Sequence, residues 1–116
     1  MNRTTAYHAF LMKRLVDRTE AAAYLNAVAE DGDVRAMLKA LRNVVEAQGG
    51  VGTLARKTRL SRTSLYKTLS AAGNPEIGTL DAILAAYGIR IGFFTVSPPS
   101  DATSAKQRRV DSGPWR

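Results

Sequence analysis

The amino-acid sequence predicts an all-α domain of five helices, closed by one short β-strand and followed by a disordered tail. Three observations predict it. Apolar residues recur at i, i+3, i+4 and i+7 in successive windows between residues 19 and 87, the period of helices with one buried face. Capping residues, glycines and one proline separate those windows. From residue 89 the pattern changes to β-branched and aromatic residues in alternation, and from Ser97 apolar residues become sparse. With 116 residues, 45% of them hydrophobic, the chain suffices for one domain with its own core.

Residues 1–16 carry Tyr7, Phe10, Leu11, Met12 and Leu15, a set that fits an amphipathic turn or a strand equally well. The domain proper spans 17–96. Thr19 is placed to cap a first helix whose stripe is Ala21, Tyr24, Leu25 and Val28, and Gly32 can end it in the left-handed conformation. Asp33 caps a second helix, its charge suited to the positive end of the dipole. That helix shows the cleanest period in the chain, Val34, Met37, Leu38, Leu41 and Val45, and Gly49-Gly50 stops it. A short helix over 52–58 turns Leu54 and Ala55 inward. The three residues Arg59-Leu60-Ser61 then lead into a helix capped by Ser61, with Leu65 and Leu69 as its buried pair; it runs to Ala72-Gly73-Asn74, where Pro75 forbids continuation. Thr79 is placed to cap the last helix, with Leu80, Ile83, Leu84 and Tyr87 as its stripe and Gly88 closing it. In residues 89–96, Ile89, Ile91 and Phe93 alternate on one face of an expected strand, which needs a partner to satisfy its backbone. Residues 97–116, with Lys106, Arg108 and Arg109, are expected to be a disordered basic tail.

The composition narrows the function. A net charge of +7 and a pI near 10.3 point to a polyanionic partner, nucleic acid first. The absence of cysteine excludes disulfides and thiolate chemistry, and the single His8, expected in solvent, does not make a metal site. No apolar run reaches the ~18 residues of a membrane span, and Lys13-Arg14 interrupts the only apolar run near the N-terminus, so no membrane role and a cytoplasmic location are expected. No carboxylate pair or nucleophile with a base is placed for catalysis, Gly49-Gly50-Val51-Gly52 lacks the lysine and hydroxyl of a phosphate loop, and neither enzyme activity nor a cofactor is expected.

The charge is concentrated. Residues 51–70 hold Arg56, Lys57, Arg59, Arg62 and Lys67 with no acid, while the rest of the chain holds twelve basic and ten acidic residues. The same twenty residues read as helix, short turn, capped helix, the spacing of a helix-turn-helix that presents the first turns of its second helix to the DNA major groove. With Leu65 and Leu69 turned inward, residues 62, 63, 66 and 67 face out. Arg62 is the candidate for a bidentate contact to guanine, and the Thr63 and Tyr66 hydroxyls for base edges. Thr53, Arg56, Lys57, Arg59, Ser61 and Lys67 are candidates for phosphates, which position the protein without reading sequence.

Five stretches carry a family resemblance: residues 23–27 (Ala-Tyr-Leu-Asn-Ala), 38–42 (Leu-Lys-Ala-Leu-Arg), 54–58 (Leu-Ala-Arg-Lys-Thr), 60–70 (Leu-Ser-Arg-Thr-Ser-Leu-Tyr-Lys-Thr-Leu-Ser), and 73–75 (Gly-Asn-Pro) with Thr79-Leu80. In this order they resemble the addiction-module antidote proteins, antitoxins with a Cro-like helix-turn-helix similar to the HigA group. The resemblance runs over residues 10–92, and its most specific parts are Leu60 to Lys67 and Gly73-Asn74-Pro75. It implies a small basic toxin of the RelE/ParE kind as partner, which the antitoxin binds and silences, and repression of the pair's own operon through Arg62, Thr63, Tyr66 and Lys67. Two positions depart from the family pattern. Arg59 stands where glycine precedes Leu-Ser, at a place the resemblance implies has positive φ, at a cost of roughly 1 kcal/mol. Gly52-Thr53 stands where Gln or Ser opens the preceding helix, leaving Thr53 as the substitute phosphate contact.

The expected function is thus a type II antitoxin that binds double-stranded operator DNA as a homodimer, its two recognition helices about 34 Å apart. A stand-alone regulator without a toxin, and an interaction module whose helix-turn-helix no longer reads DNA, are the alternatives.

Overall fold

Residues 3–95 of the chain are described by a computed structural model, and among them every regular element is a helix. The order is α1 (Arg3–Leu15), α2 (Arg18–Ala29), α3 (Val34–Ala47), α4 (Gly50–Thr58), α5 (Arg62–Thr68) and α6 (Ile77–Ala86). The all-α class holds, with six helices rather than five.

The additional helix is α1. Its Leu11 and Leu15 are buried at i, i+4, but Tyr7 and Phe10 are exposed, so its apolar residues do not lie on one stripe. Contacts from α3 and its C-cap residue Gln48 secure it. Gln48 Nε2 donates to the carbonyls of Leu15 (2.9 Å) and Val16 (2.8 Å), satisfying oxygens that the helix end leaves free. His8 Nε2 lies 3.0 Å from Glu46 Oε2, on the exposed side of the same pair of helices.

Asp17, not Thr19, caps α2: its carboxylate accepts from the backbone N–H of Thr19 (2.7 Å) and Glu20 (3.1 Å), which begins the helix earlier. Gly32 is left-handed at φ 69°, and Asp33 caps α3 by accepting from Arg35 and Ala36 N–H. Leu38, Leu41 and Val45 of the α3 stripe are buried, joined by Ala40 and Val44, while Val34 at its start is 64% exposed.

The glycine pair does two things at once. Gly49 at φ 113° ends α3 and caps α4, and Gly50 is already the first residue of α4. The following α5 stops at Thr68, short of the expected residues 72–74, because Leu69 closes it and Ser70–Gly73 forms a turn. Glu76, rather than Thr79, occupies the cap position of α6, so that helix begins at Ile77. Its end is a Schellman motif: Ile89 N–H donates to Leu84 O and Gly88 N–H to Ala85 O, with Gly88 at φ 76°.

Residues 89–95 do not form the expected strand. No described residue offers them a neighbouring ladder; instead Ile89 and Ile91 pack against the helical core, which accounts for their alternation, and Phe93 is 93% exposed. Val96 and the tail 97–116, with its basic cluster, lie outside the described residues.

One core unites the elements: Leu11 and Leu15 of α1, Ala21 and Leu25 of α2, Leu41 and Val44 of α3, Leu54, Leu65, and Ile83 with Leu84 of α6. The position of α4 within it is central, packed against α3, α5 and α6, whereas α5 packs its backbone only on α4.

Candidate nucleic-acid interface

The basic twenty-residue segment 51–70 folds as α4, a three-residue turn and α5. The turn is made by particular groups. Arg59 is the only non-glycine residue with positive φ among those described, at φ 65°, and its N–H donates to Ala55 O (2.8 Å). The Thr58 hydroxyl donates to Leu54 O (2.9 Å) and accepts from Leu60 N–H (3.2 Å), so one side chain closes α4 and holds the next residue. Leu60 is half-buried against the core. Ser61 Oγ then accepts from Ser64 N–H at 3.0 Å and begins α5. The left-handed residue expected in place of the family's glycine is therefore present.

Two leucines and one arginine fix α5. Leu65 is fully buried and Leu69 nearly so. Arg42 of α3 donates from Nη1 to Leu69 O (2.8 Å), placing a cation at the negative end of the short helix. Everything else on its first two turns, Arg62, Thr63, Ser64, Tyr66 and Lys67, is exposed. The face derived from Leu65 and Leu69 is the face that reaches solvent.

The candidate residues do not all gather in one place. Arg62 folds back across α4: a Cβ built on Gly52 would meet its Nη2 at 3.0 Å, so the guanidinium occupies the space a side chain there would take. On the same helix, Arg56 Nη2 donates to Thr53 Oγ1 at 3.3 Å. Arg62, Thr53 and Arg56 thus all stand on or against α4. Tyr66 borders a recess of about 370 Å³ between α3, α4 and α5, lined also by Val45, Val51 and Leu69. Lys57 is set apart, its Nζ 5.9 Å from the centre of the Tyr87 ring beyond α6, a cation–π distance.

Tyr87 is buried and its hydroxyl has no hydrogen-bond partner. Desolvation pushes its pKa up to about 12.

Two contributors escaped the sequence. Arg42 follows Leu38 at i+4, and a basic residue on the edge of an apolar stripe is the signal that could have marked it. Gly52 reads as an ordinary helix break, and nothing in the linear pattern ties it to Arg62. No three His, Cys, Asp or Glu side chains are grouped to hold a metal among the described residues, and no helix there is long and apolar enough to cross a membrane.

Comparison with known proteins adds a family. The family described as "Probable addiction module antidote protein" matches residues 6–95. A Haemophilus influenzae relative, described as an uncharacterized protein, is 30% identical over 78 residues, covering 67% of this chain and 79% of the relative. No solved structure matches.

Proposed function

Since the chain belongs to the family of probable addiction module antidote proteins, we propose that it is the antitoxin of a type II module, silencing a small basic toxin of the RelE/ParE kind and repressing its own operon. The match over residues 6–95 takes in every element of the fold but the first turn of α1, so the antidote role attaches to this domain as a whole. In this reading α4 and α5 are a helix-turn-helix of the Cro-like kind found in the HigA group. The observation that carries DNA binding is the state of α5: one edge is anchored by Leu65 and Leu69, and the rest of its first two turns is exposed within a segment holding five basic residues and no acid.

The roles follow from position. Thr63, Tyr66 and a guanidinium of Arg62 that swings off α4 read base edges. Arg56, Arg59, Lys67 and the hydroxyls of Thr53 and Ser61 hold phosphates, with Lys57 at the margin. Two-fold operators pair two such helices one turn of DNA apart, so a homodimer in the cytoplasm is the working form. The work is binding alone, with no catalytic step.

The test is fluorescence anisotropy on the duplex immediately upstream of the chain's reading frame and on a scrambled duplex, at two salt concentrations. Tight, selective, salt-weakened binding is expected. Equal and weak binding to both duplexes would reduce α4 and α5 to an electrostatic patch. An operator without a neighbouring toxin gene would leave a stand-alone regulator.

A further inference from the structure

The acids of this basic chain are not scattered. Eight lie among the described residues with side chains placed. Asp17 and Asp33 cap helices, Glu20 pairs with Arg14 at 2.6 Å, and Glu46 pairs with His8. The remaining four, Glu30, Asp31, Glu76 and Asp81, are exposed, and their carboxylates have neither hydrogen bond nor ion pair.

All four adjoin, in sequence, residues that line one groove. It has a volume of about 400 Å³ and is lined chiefly by Val34, Met37, Leu38, Leu41, Pro75 and Leu80. Glu30 and Asp31 lie between the lining residues Ala29 and Gly32, Glu76 follows Pro75, and Asp81 follows Leu80. Three described basic residues also adjoin the lining, Arg35, Lys39 and Arg42, but Arg42 turns away to donate to Leu69 O, so four carboxylates face two cations along the rim of a chain of net charge +7. Two large apolar side chains stand open nearby, Val34 at 64% and Ile77 at 70% exposure. The groove continues past Met37, Leu41 and Leu80 into a recess that the chain's own Ile89 and Ile91 line. An apolar segment is therefore already seated at one end, and the other end is open.

We propose that this groove between α2, α3 and α6 is where the toxin docks, through a basic segment bearing apolar side chains. The proposal rests on the antitoxin reading above and names its surface. Charge complementarity selects the occupant: a basic toxin segment meets four uncompensated carboxylates around an apolar floor, whereas DNA would be repelled by them. The groove shares no lining residue with α4 or α5, so toxin and operator bind the chain together.

The chain has no cysteine, so Ile77→Cys gives one thiol to carry a benzophenone label. The labelled full-length protein is mixed with the polypeptide encoded by the adjacent reading frame, illuminated, and the crosslinks are mapped by mass spectrometry. In parallel, the affinity of that polypeptide is measured for wild type, Asp31→Asn/Asp81→Asn and Val34→Ser. Crosslinks to a basic segment of the polypeptide, with affinity weakened roughly tenfold by the paired charge variant and duplex binding retained, are expected. Crosslinks to a second copy, or to residues 96–116 of the same chain, overturn the proposal. So does a complex that forms with undiminished affinity in both variants, which leaves the antitoxin reading standing. Absence of any complex with wild type overturns that reading, and the proposal with it.

Discussion

Arg59 carries a conformational cost that a single substitution can measure. Its φ of 65° places a side chain in the left-handed region, where an L-residue with a Cβ loses roughly 1–2 kcal/mol. Glycine removes that cost but loses about 0.4–1 kcal/mol more entropy from the unfolded chain. Arg59→Gly is therefore expected to stabilise the domain by about 0.5–1 kcal/mol, raising Tm by roughly 2–8 °C for a domain of this size. Arg59→Ala keeps the strain and removes the charge, so its Tm stays close to wild type. The two variants separate conformation from contact. If the guanidinium neutralises one phosphate, both reduce the salt dependence of duplex binding by about 0.9 in slope, although only one changes stability. The assays are thermal unfolding by circular dichroism and anisotropy titrations across a salt series. A glycine variant no more stable than the alanine variant would refute the strain. Unaltered salt slopes in both would refute the phosphate contact and leave the arginine unexplained.

Three other substitutions follow from the structure. Tyr87→Phe removes a buried hydroxyl without a partner and is expected to stabilise the protein by about 1 kcal/mol at neutral pH in urea unfolding. Because the folded pKa of about 12 exceeds the unfolded 10, wild type also loses stability, on the order of 1–2 kcal/mol, as pH rises from 10 to 12, and the phenylalanine variant lacks that loss; parallel curves would count against it. Gly73→Ala would drive a Cβ into the Thr68 carbonyl oxygen, so the backbone must shift; a destabilisation of roughly 2 kcal/mol or more is expected, and less than about 0.5 kcal/mol would contradict that packing. Gly52→Ala favours α4 by up to about 1 kcal/mol but drives the Arg62 guanidinium from its place, so unfolding should show a stabler protein and anisotropy a changed preference between duplexes; an unchanged preference would mean that Arg62 does not depend on Gly52.

The sequence was most legible where one physical cause acted alone. Leu65 and Leu69 at i, i+4, Ser61 as a cap and five cations without an acid each speak locally, and together they place the exposed face of α5 correctly. Boundaries were less legible where two devices competed. Asp17 and Thr19 are both capping residues two positions apart, and the carboxylate takes the helix start because it reaches two backbone N–H groups. The alternation of Ile89 and Ile91 predicts a strand, yet alternation reports only that one side of an extended chain is buried, and here a helical core buries it. α1 was hidden for the opposite reason: Phe10, Leu11 and Met12 stand side by side, so no single stripe appears, and its docking depends on Gln48 and Glu46 more than thirty residues away. Arg62 resting across Gly52 is likewise a contact between two helices, which no spacing within either one encodes.

The helix with the clearest period turns out to be the one on which both proposed surfaces depend. Leu38 and Leu41 of α3 floor the acidic groove, and Arg42, the next residue, reaches the other way to close α5 at Leu69. Successive residues on a helix point about 100° apart, so one turn of α3 can serve a surface on each flank. Because α5 packs its backbone only on α4, the Arg42 bond is a direct tie from that turn to the helix proposed to read DNA. A toxin seated against Leu38 and Leu41 thus touches the same turn that orients α5, a short physical route by which occupancy of one surface would alter affinity at the other. Coupling of this kind is reciprocal: any factor by which toxin strengthens operator binding must equal the factor by which operator strengthens toxin binding.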